Sequence, residues 1–115
     1  MRVLFIVMIL MVSPAIQSAE DDVVIKSGFL TGNQYRSFAA SDRRKYAMGL
    51  VDGMLLSPFF GAEKKRLSWL ESCATGMNDG QIVAIFDKYL TKNPARWHES
   101  INALAYFAMK QECER

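Results

Sequence analysis

Asn78-Asp79-Gly80-Gln81-Ile82-Val83-Ala84-Ile85-Phe86-Asp87-Lys88-Tyr89-Leu90, running on into Thr91-Lys92-Asn93-Pro94, carries helical signals at both ends and along its length. Asn78 can cap the first turn while Gln81, three residues on, reaches back to the cap as in a capping box. Asp79 sits at the positive end of the helix dipole, and Lys88 and Lys92 sit toward the negative end. Ile82, Val83, Ile85, Phe86, Tyr89 and Leu90 form a broad apolar face at helical spacing. Asn93-Pro94 closes this helix, and Pro94 fits the first position of the next, where a missing N–H costs nothing.

Working outward from that stretch, every neighbouring segment also reads as helix. After Pro94, Trp97, Ile101, Leu104, Ala105 and Ala108 make one stripe of a fifth helix, and Tyr106, Met109 and Cys113 lie on an adjoining one. Before Asn78, Leu67, Trp69, Leu70 and Cys73 predict a third helix ended by Gly76. Ser41 reads as the N-cap of a second helix, with Asp42 behind it and an apolar repeat through Tyr46, Ala47, Leu50, Val51, Met54 and Leu55. That helix is expected to stop at Ser57, because Pro58 disfavours the helical region for the residue before it. Thr31-Gly32-Asn33 can start a short first helix carrying Tyr35 and Phe38, preceded by an irregular arm over residues 20–30. No strand-like alternation of useful length occurs, so the expected fold is all-α, a bundle of about five helices.

The first nineteen residues read as a removable address. Val3–Val12 are ten uninterrupted apolar residues behind Met1-Arg2, and Pro14 breaks the run before Ala15-Ile16-Gln17-Ser18-Ala19. As a helix the run spans roughly 15 Å, half of a hydrocarbon core, so it is too short for a stable membrane span. Glu20-Asp21-Asp22 follow at once. Cleavage is placed after Ala19, with Ala15 as the alternative, and no lipid-bearing cysteine follows. The chain is therefore expected to be exported, with residues 20–115 forming a single domain. Arg2 leaves with the leader, so that domain keeps net charge +1, which is no footprint for nucleic acid or an anionic membrane surface. A composition of 50% hydrophobic and 11% aromatic residues excludes intrinsic disorder.

Export decides how the two cysteines, Cys73 and Cys113, are read. An even count in an oxidising compartment predicts one disulfide. Closing a loop of roughly 41 residues is worth about 4 kcal/mol on the chain-entropy view. Only His98 stands by to join two sulfurs, so no metal site and no cofactor is expected. A Cys73–His98 nucleophile pair would need a free thiolate and a third orienting group, and an oxidised Cys73 supplies neither. No catalytic residue is assigned, and the chain is not expected to be an enzyme.

Two further clusters stand out. Gly49 and Gly53 flank Asp52 inside an otherwise good helix, each costing about 1 kcal/mol relative to alanine. They are read as a flat stripe for close approach by another helix or by a large ring such as Trp69 or Trp97. In the Ser57–Arg66 connection, Phe59 and Phe60 lie between Pro58 and Gly61 and are followed by Lys64, Lys65 and Arg66. One reading is an exposed binding knob flanked by cations. The other, favoured for at least one ring, is that the phenylalanines fold back into a small core and leave a solvated basic patch.

From Phe29 to Cys113 the order of features resembles the Rap/Tai-type family, immunity proteins of type VI secretion amidase effectors. The matching pieces are Thr31-Gly32-Asn33; Tyr46-Ala47-Met48-Gly49-Leu50-Val51-Asp52-Gly53; Cys73; Gln81 ahead of Ile82-Val83; Lys88-Tyr89-Leu90; Asn93-Pro94 with Trp97; and Cys113. Family members often carry a further cysteine pair in the first two helices, which this chain lacks. The resemblance implies a periplasmic, all-helical, often dimeric protein that plugs the cleft of a peptidoglycan amidase without chemistry of its own. The family's contact residues are not motif residues and do not carry over. On physical grounds the partner-binding residues are placed at Phe59, Phe60, Lys64, Lys65 and Arg66. The alternative role is that of an envelope protein of the same fold with a chaperone-like or assembly function.

Overall fold

The Asn78 cap forms as the sequence predicts: its Oδ1 accepts from the Gln81 N–H at 2.9 Å, and Gln81 Oε1 accepts from the Asn78 N–H at 2.9 Å. The computed structural model describes residues 27–114. The expected leader, its expected cleavage at Ala19 or Ala15 and the acidic start of the arm lie outside the described residues. The elements are α1 (Gly32–Arg36), α2 (Ala40–Leu55), α3 (Ser68–Ala74), α4 (Asp79–Lys92) and α5 (Ile101–Cys113). Short 3-10 turns at Ser57–Phe60, Lys64–Arg66 and Pro94–Arg96 join them. Among the described residues the fold is all-α, apart from one isolated antiparallel bridge between Thr31 and Ser100.

Helix α4 is the centre of the bundle. It packs against α2 on one side and α5 on the other, while α3 lies on α5. Ile82, Phe86 and Leu90, one turn apart, are buried against Ala47 and Val51 of α2 and Leu104, Ala105 and Ala108 of α5. Tyr35 of α1 is fully buried with its ring near those of Tyr46 and Phe86.

A second capping box starts α1. Thr31 Oγ1 accepts from the Gln34 N–H at 3.2 Å, and Gln34 Oε1 accepts from the Thr31 N–H at 2.8 Å. Phe38 falls two residues beyond the end of this helix. The unsatisfied N–H groups of its first turn find partners outside it: Gly32 donates to the Glu99 carbonyl (2.9 Å) and Asn33 to the Trp97 carbonyl (2.8 Å). That contact needs a glycine, because a Cβ at position 32 would lie 3.0 Å from Leu104 Cδ1 and 3.1 Å from the Trp97 carbonyl oxygen.

The same two hydrogen bonds explain the main departure from the expected helices. Pro94 opens only a 3-10 turn, and α5 begins at Ile101, so Trp97 is not on its stripe. The carbonyls of Trp97 and Glu99 are committed to α1, and the Ile101 N–H donates to the Leu30 carbonyl at 2.9 Å. A continuous helix would need those groups for itself. Trp97 instead donates its indole N–H to the Leu90 carbonyl at 2.7 Å, and the Arg36 guanidinium lies 3.3 Å over its ring. At the other corrected boundary, α2 starts at Ala40, not after Ser41: the Ala39 carbonyl accepts from Asp42 and Arg43, and no side chain caps the end. Its end holds closer to expectation, with Leu55 the last residue and Leu56 the cap. Gly76, at φ 89°, closes the turn after α3.

Two polar features cross the core. Arg43 of α2 meets Asp87 of α4 at 3.0 Å with both side chains partly shielded from solvent. Burial pushes the Asp87 carboxyl above its ordinary value, while the Arg43 guanidinium pulls it back. The pair links α2 to α4, and the cost of partly burying its charges leaves it little net stability. The Tyr35 hydroxyl is buried with no hydrogen-bond partner among the described residues, and burial holds it in its neutral form.

The disulfide joins Cys73 of α3 to Cys113 at the end of α5, with 5.6 Å between the Cα atoms. Replacing both cysteines by alanine should lower the unfolding free energy by about 4 kcal/mol in a urea titration; a loss below about 1 kcal/mol would mean that packing alone seats α3. Tyr35→Phe removes only the unpartnered hydroxyl. It should leave stability unchanged or raise it by up to about 1 kcal/mol, and a clear loss by thermal melting would reveal a bond that this hydroxyl makes.

Candidate functional site

Between α2 and α3 the chain folds into two consecutive 3-10 turns. Ser57 Oγ donates to the Met54 carbonyl at 2.6 Å and ties the first turn to the end of α2. The Phe59 N–H donates to Leu56 O (3.0 Å), Gly61 to Pro58 O (3.1 Å) and Ala62 to Ser57 O (3.2 Å). Gly61 closes the turn at φ 98°, a left-handed conformation that side chains rarely adopt. The segment is thus a turn held by its own backbone.

On that turn Phe59 is 86% exposed and Phe60 85% exposed. The expectation that at least one ring folds back into the core is overturned. Ser57 and Pro58, at the start of the turn, are half-buried against the end of α2, while Phe59 and Phe60, at its far end, stand in solvent. Leu55 and Leu56 widen the apolar surface at the base of the turn. The cations follow on the second turn. Lys65 and Arg66 lie 3.4 and 3.6 Å from the Glu63 carboxylate, with all three side chains largely in water, so these pairs hold little. A cleft of about 460 Å³ opens beside the knob, lined by Leu55, Pro58, Phe59, Lys64, Leu67, Glu71 and Thr75. The structure therefore leaves Phe59, Phe60, Lys64, Lys65 and Arg66 exposed on two consecutive turns of one connection.

The glycine stripe behaves differently from the expectation. A Cβ built at Gly49 or Gly53 meets nothing within 4 Å. Neither expected ring packs on them: Trp69 packs edge-on against Tyr106, and Trp97 lies beneath Arg36. The glycines border an open hollow of about 430 Å³ with Leu50, Met54, Asn102, Ala103 and Tyr106, and Asp52 is exposed to solvent.

No nucleophilic centre is assembled around His98. It is exposed in the turn before α5, and the Cys73 sulfur is bonded to Cys113. Among the described residues no three His, Cys, Asp or Glu side chains converge as a metal site would require. No helix among them is long and apolar enough to cross a membrane. A surface network that sequence reading missed joins Arg96 to Glu99 through two hydrogen bonds of 2.6 and 2.9 Å, and to the Tyr89 hydroxyl. The Arg96 guanidinium holds the Glu99 carboxyl below its ordinary value. The only signal for it was the three-residue spacing of an arginine and a glutamate. The cleft residues Leu67, Glu71 and Thr75 were also missed as site residues, since they meet the knob only once α3 folds back beside it.

Because open space faces both glycines, Gly49→Ala and Gly53→Ala should each stabilise the fold by about 1 kcal/mol through helix propensity. Thermal or urea unfolding of the two variants checks this, and a loss of stability would mean that the stripe is covered in the native protein.

Set against known protein families, curated proteins and solved structures, the chain matches none.

Proposed function

We propose that this chain is a periplasmic immunity protein that binds and occludes a peptidoglycan amidase delivered by type VI secretion. The observation that carries the reading is the exposure of Phe59 and Phe60 on a turn already rigid through its own hydrogen bonds. A projecting aromatic pair that is pre-organised loses little conformational entropy on entering a cleft, and buried aromatic and arginine anchors dominate most interfaces. Lys64, Lys65 and Arg66 would meet acidic groups at the cleft rim and speed the encounter. Inhibition is by filling the cleft, so the inhibitor needs no catalytic group. The apolar stretch at Val3–Val12 supports export, and the Cys73–Cys113 bond fits an oxidising compartment. The resemblance in feature order from Phe29 to Cys113 supports the immunity role itself.

A chaperone-like or assembly role in the envelope is the second reading, favoured by further exposed apolar side chains at Met48 and Phe107. The two differ in the partner they require. An amidase gene beside this one favours immunity, and co-purification of that amidase from periplasm tests it directly. With the amidase as probe, alanine at Phe59 and Phe60 should raise Kd at least 30-fold, or about 2 kcal/mol. Alanine at Lys64, Lys65 and Arg66 should mainly slow association. Unchanged affinity across the set removes the loop from the interface, and failure of the wild-type chain to bind the amidase removes the immunity reading.

A further inference from the structure

Inhibition uses the knob only while a partner is present, yet its surface is exposed all the time. We infer that in the free protein this surface seats reversibly on an anionic lipid bilayer. Three observations on the page converge on that occupant. Phe59 and Phe60 stand at the apex of a turn with Leu55 and Leu56 at its base, a contiguous apolar tip of the kind that marks a protein or membrane contact. Lys64, Lys65 and Arg66 follow within one further turn, and Ser57–Arg66 holds these three cations against the single acid Glu63. Aromatic rings at headgroup depth with cations beside them are the side-chain pairing that an anionic interface binds.

The backbone supplies the third. A chain lowered into lipid must have its N–H groups satisfied internally. Here Phe59, Gly61 and Ala62 already donate to carbonyls of the same segment, and Pro58 has no N–H to satisfy. The tip can leave water without stranding those donors. The near-neutral total charge does not oppose the docking, because screening confines the attraction to groups within about 10 Å of the surface. With two rings and three cations the attachment is weak and reversible, since stable anchoring takes stronger or additional signals. The inference does not depend on the immunity reading.

The test is co-sedimentation of the chain, as it accumulates in expressing cells, with vesicles of about one-third phosphatidylglycerol in phosphatidylethanolamine. Binding should fall about tenfold on phosphatidylcholine vesicles, in Phe59→Ser/Phe60→Ser and in Lys64→Glu/Lys65→Glu, and should weaken with added salt. All the substituted side chains are exposed, so the variants should keep the wild-type circular dichroism. They also share every residue outside the loop, so the difference reports the loop alone. In Phe59→Trp, the new indole should shift its emission to the blue with the anionic vesicles and not with the zwitterionic ones. Wild-type protein that stays in the supernatant overturns the inference, as does binding that the serine variant keeps. An amidase that captures the loop when vesicles do not assigns the surface to a protein partner alone and equally overturns it.

Discussion

Two backbone hydrogen bonds, from Gly32 to the Glu99 carbonyl and from Asn33 to the Trp97 carbonyl, organise the rest of the molecule. They satisfy the free N–H groups at the start of α1, which is too short to stand by itself. They also withdraw two carbonyls from the chain before α5, so that helix cannot reach back to Pro94. The freed segment lets Trp97 turn its indole onto the Leu90 carbonyl and present its ring to Arg36. Tyr35 is then delivered to the centre of the bundle beside Phe86. A larger residue at position 32 would press on Leu104 and on the Trp97 backbone together, and all of these contacts would have to move.

The remaining architecture divides into a packed part and a displayed part. The packed part is α4 between α2 and α5, with one half-shielded ion pair linking α2 to α4 and one disulfide holding α3 on α5. The displayed part is the connection between α2 and α3, whose side chains bury almost nothing. Its order comes from local hydrogen bonds, a proline and a left-handed glycine. A segment with this construction can change its side chains at little cost to the fold, which suits a surface selected for what it touches.

Reading the sequence captured α4 almost completely because its cap, its dipole charges and its apolar period all agree. It captured the disulfide as well, since two cysteines leave only one pairing. It misplaced the start of α5, where Trp97 fits the helical period but its carbonyl is claimed by a residue more than sixty positions earlier. No local pattern encodes that competition. The glycine stripe misled for a related reason: helical spacing places Gly49 and Gly53 on one face, but does not say whether anything stands opposite. At the knob, composition singled out residues that the structure leaves exposed. Their exposure depends on where the turn stands relative to the rest of the bundle, which no local pattern encodes, although Gly61 at a positive φ marks where the turn ends. Arg43 and Asp87 were legible only as charges on two helices until packing brought them to 3.0 Å.

The position of the sulfur bridge has a mechanical consequence. It closes a covalent ring that contains the end of α3, all of α4 and all of α5, and it leaves α1, α2 and the aromatic turn outside. A force applied from the N-terminal side can extend those outer elements, but it cannot extend the backbone between Cys73 and Cys113 while the bridge holds. The displayed turn is thus mounted on the part of the molecule that the bridge leaves unsecured.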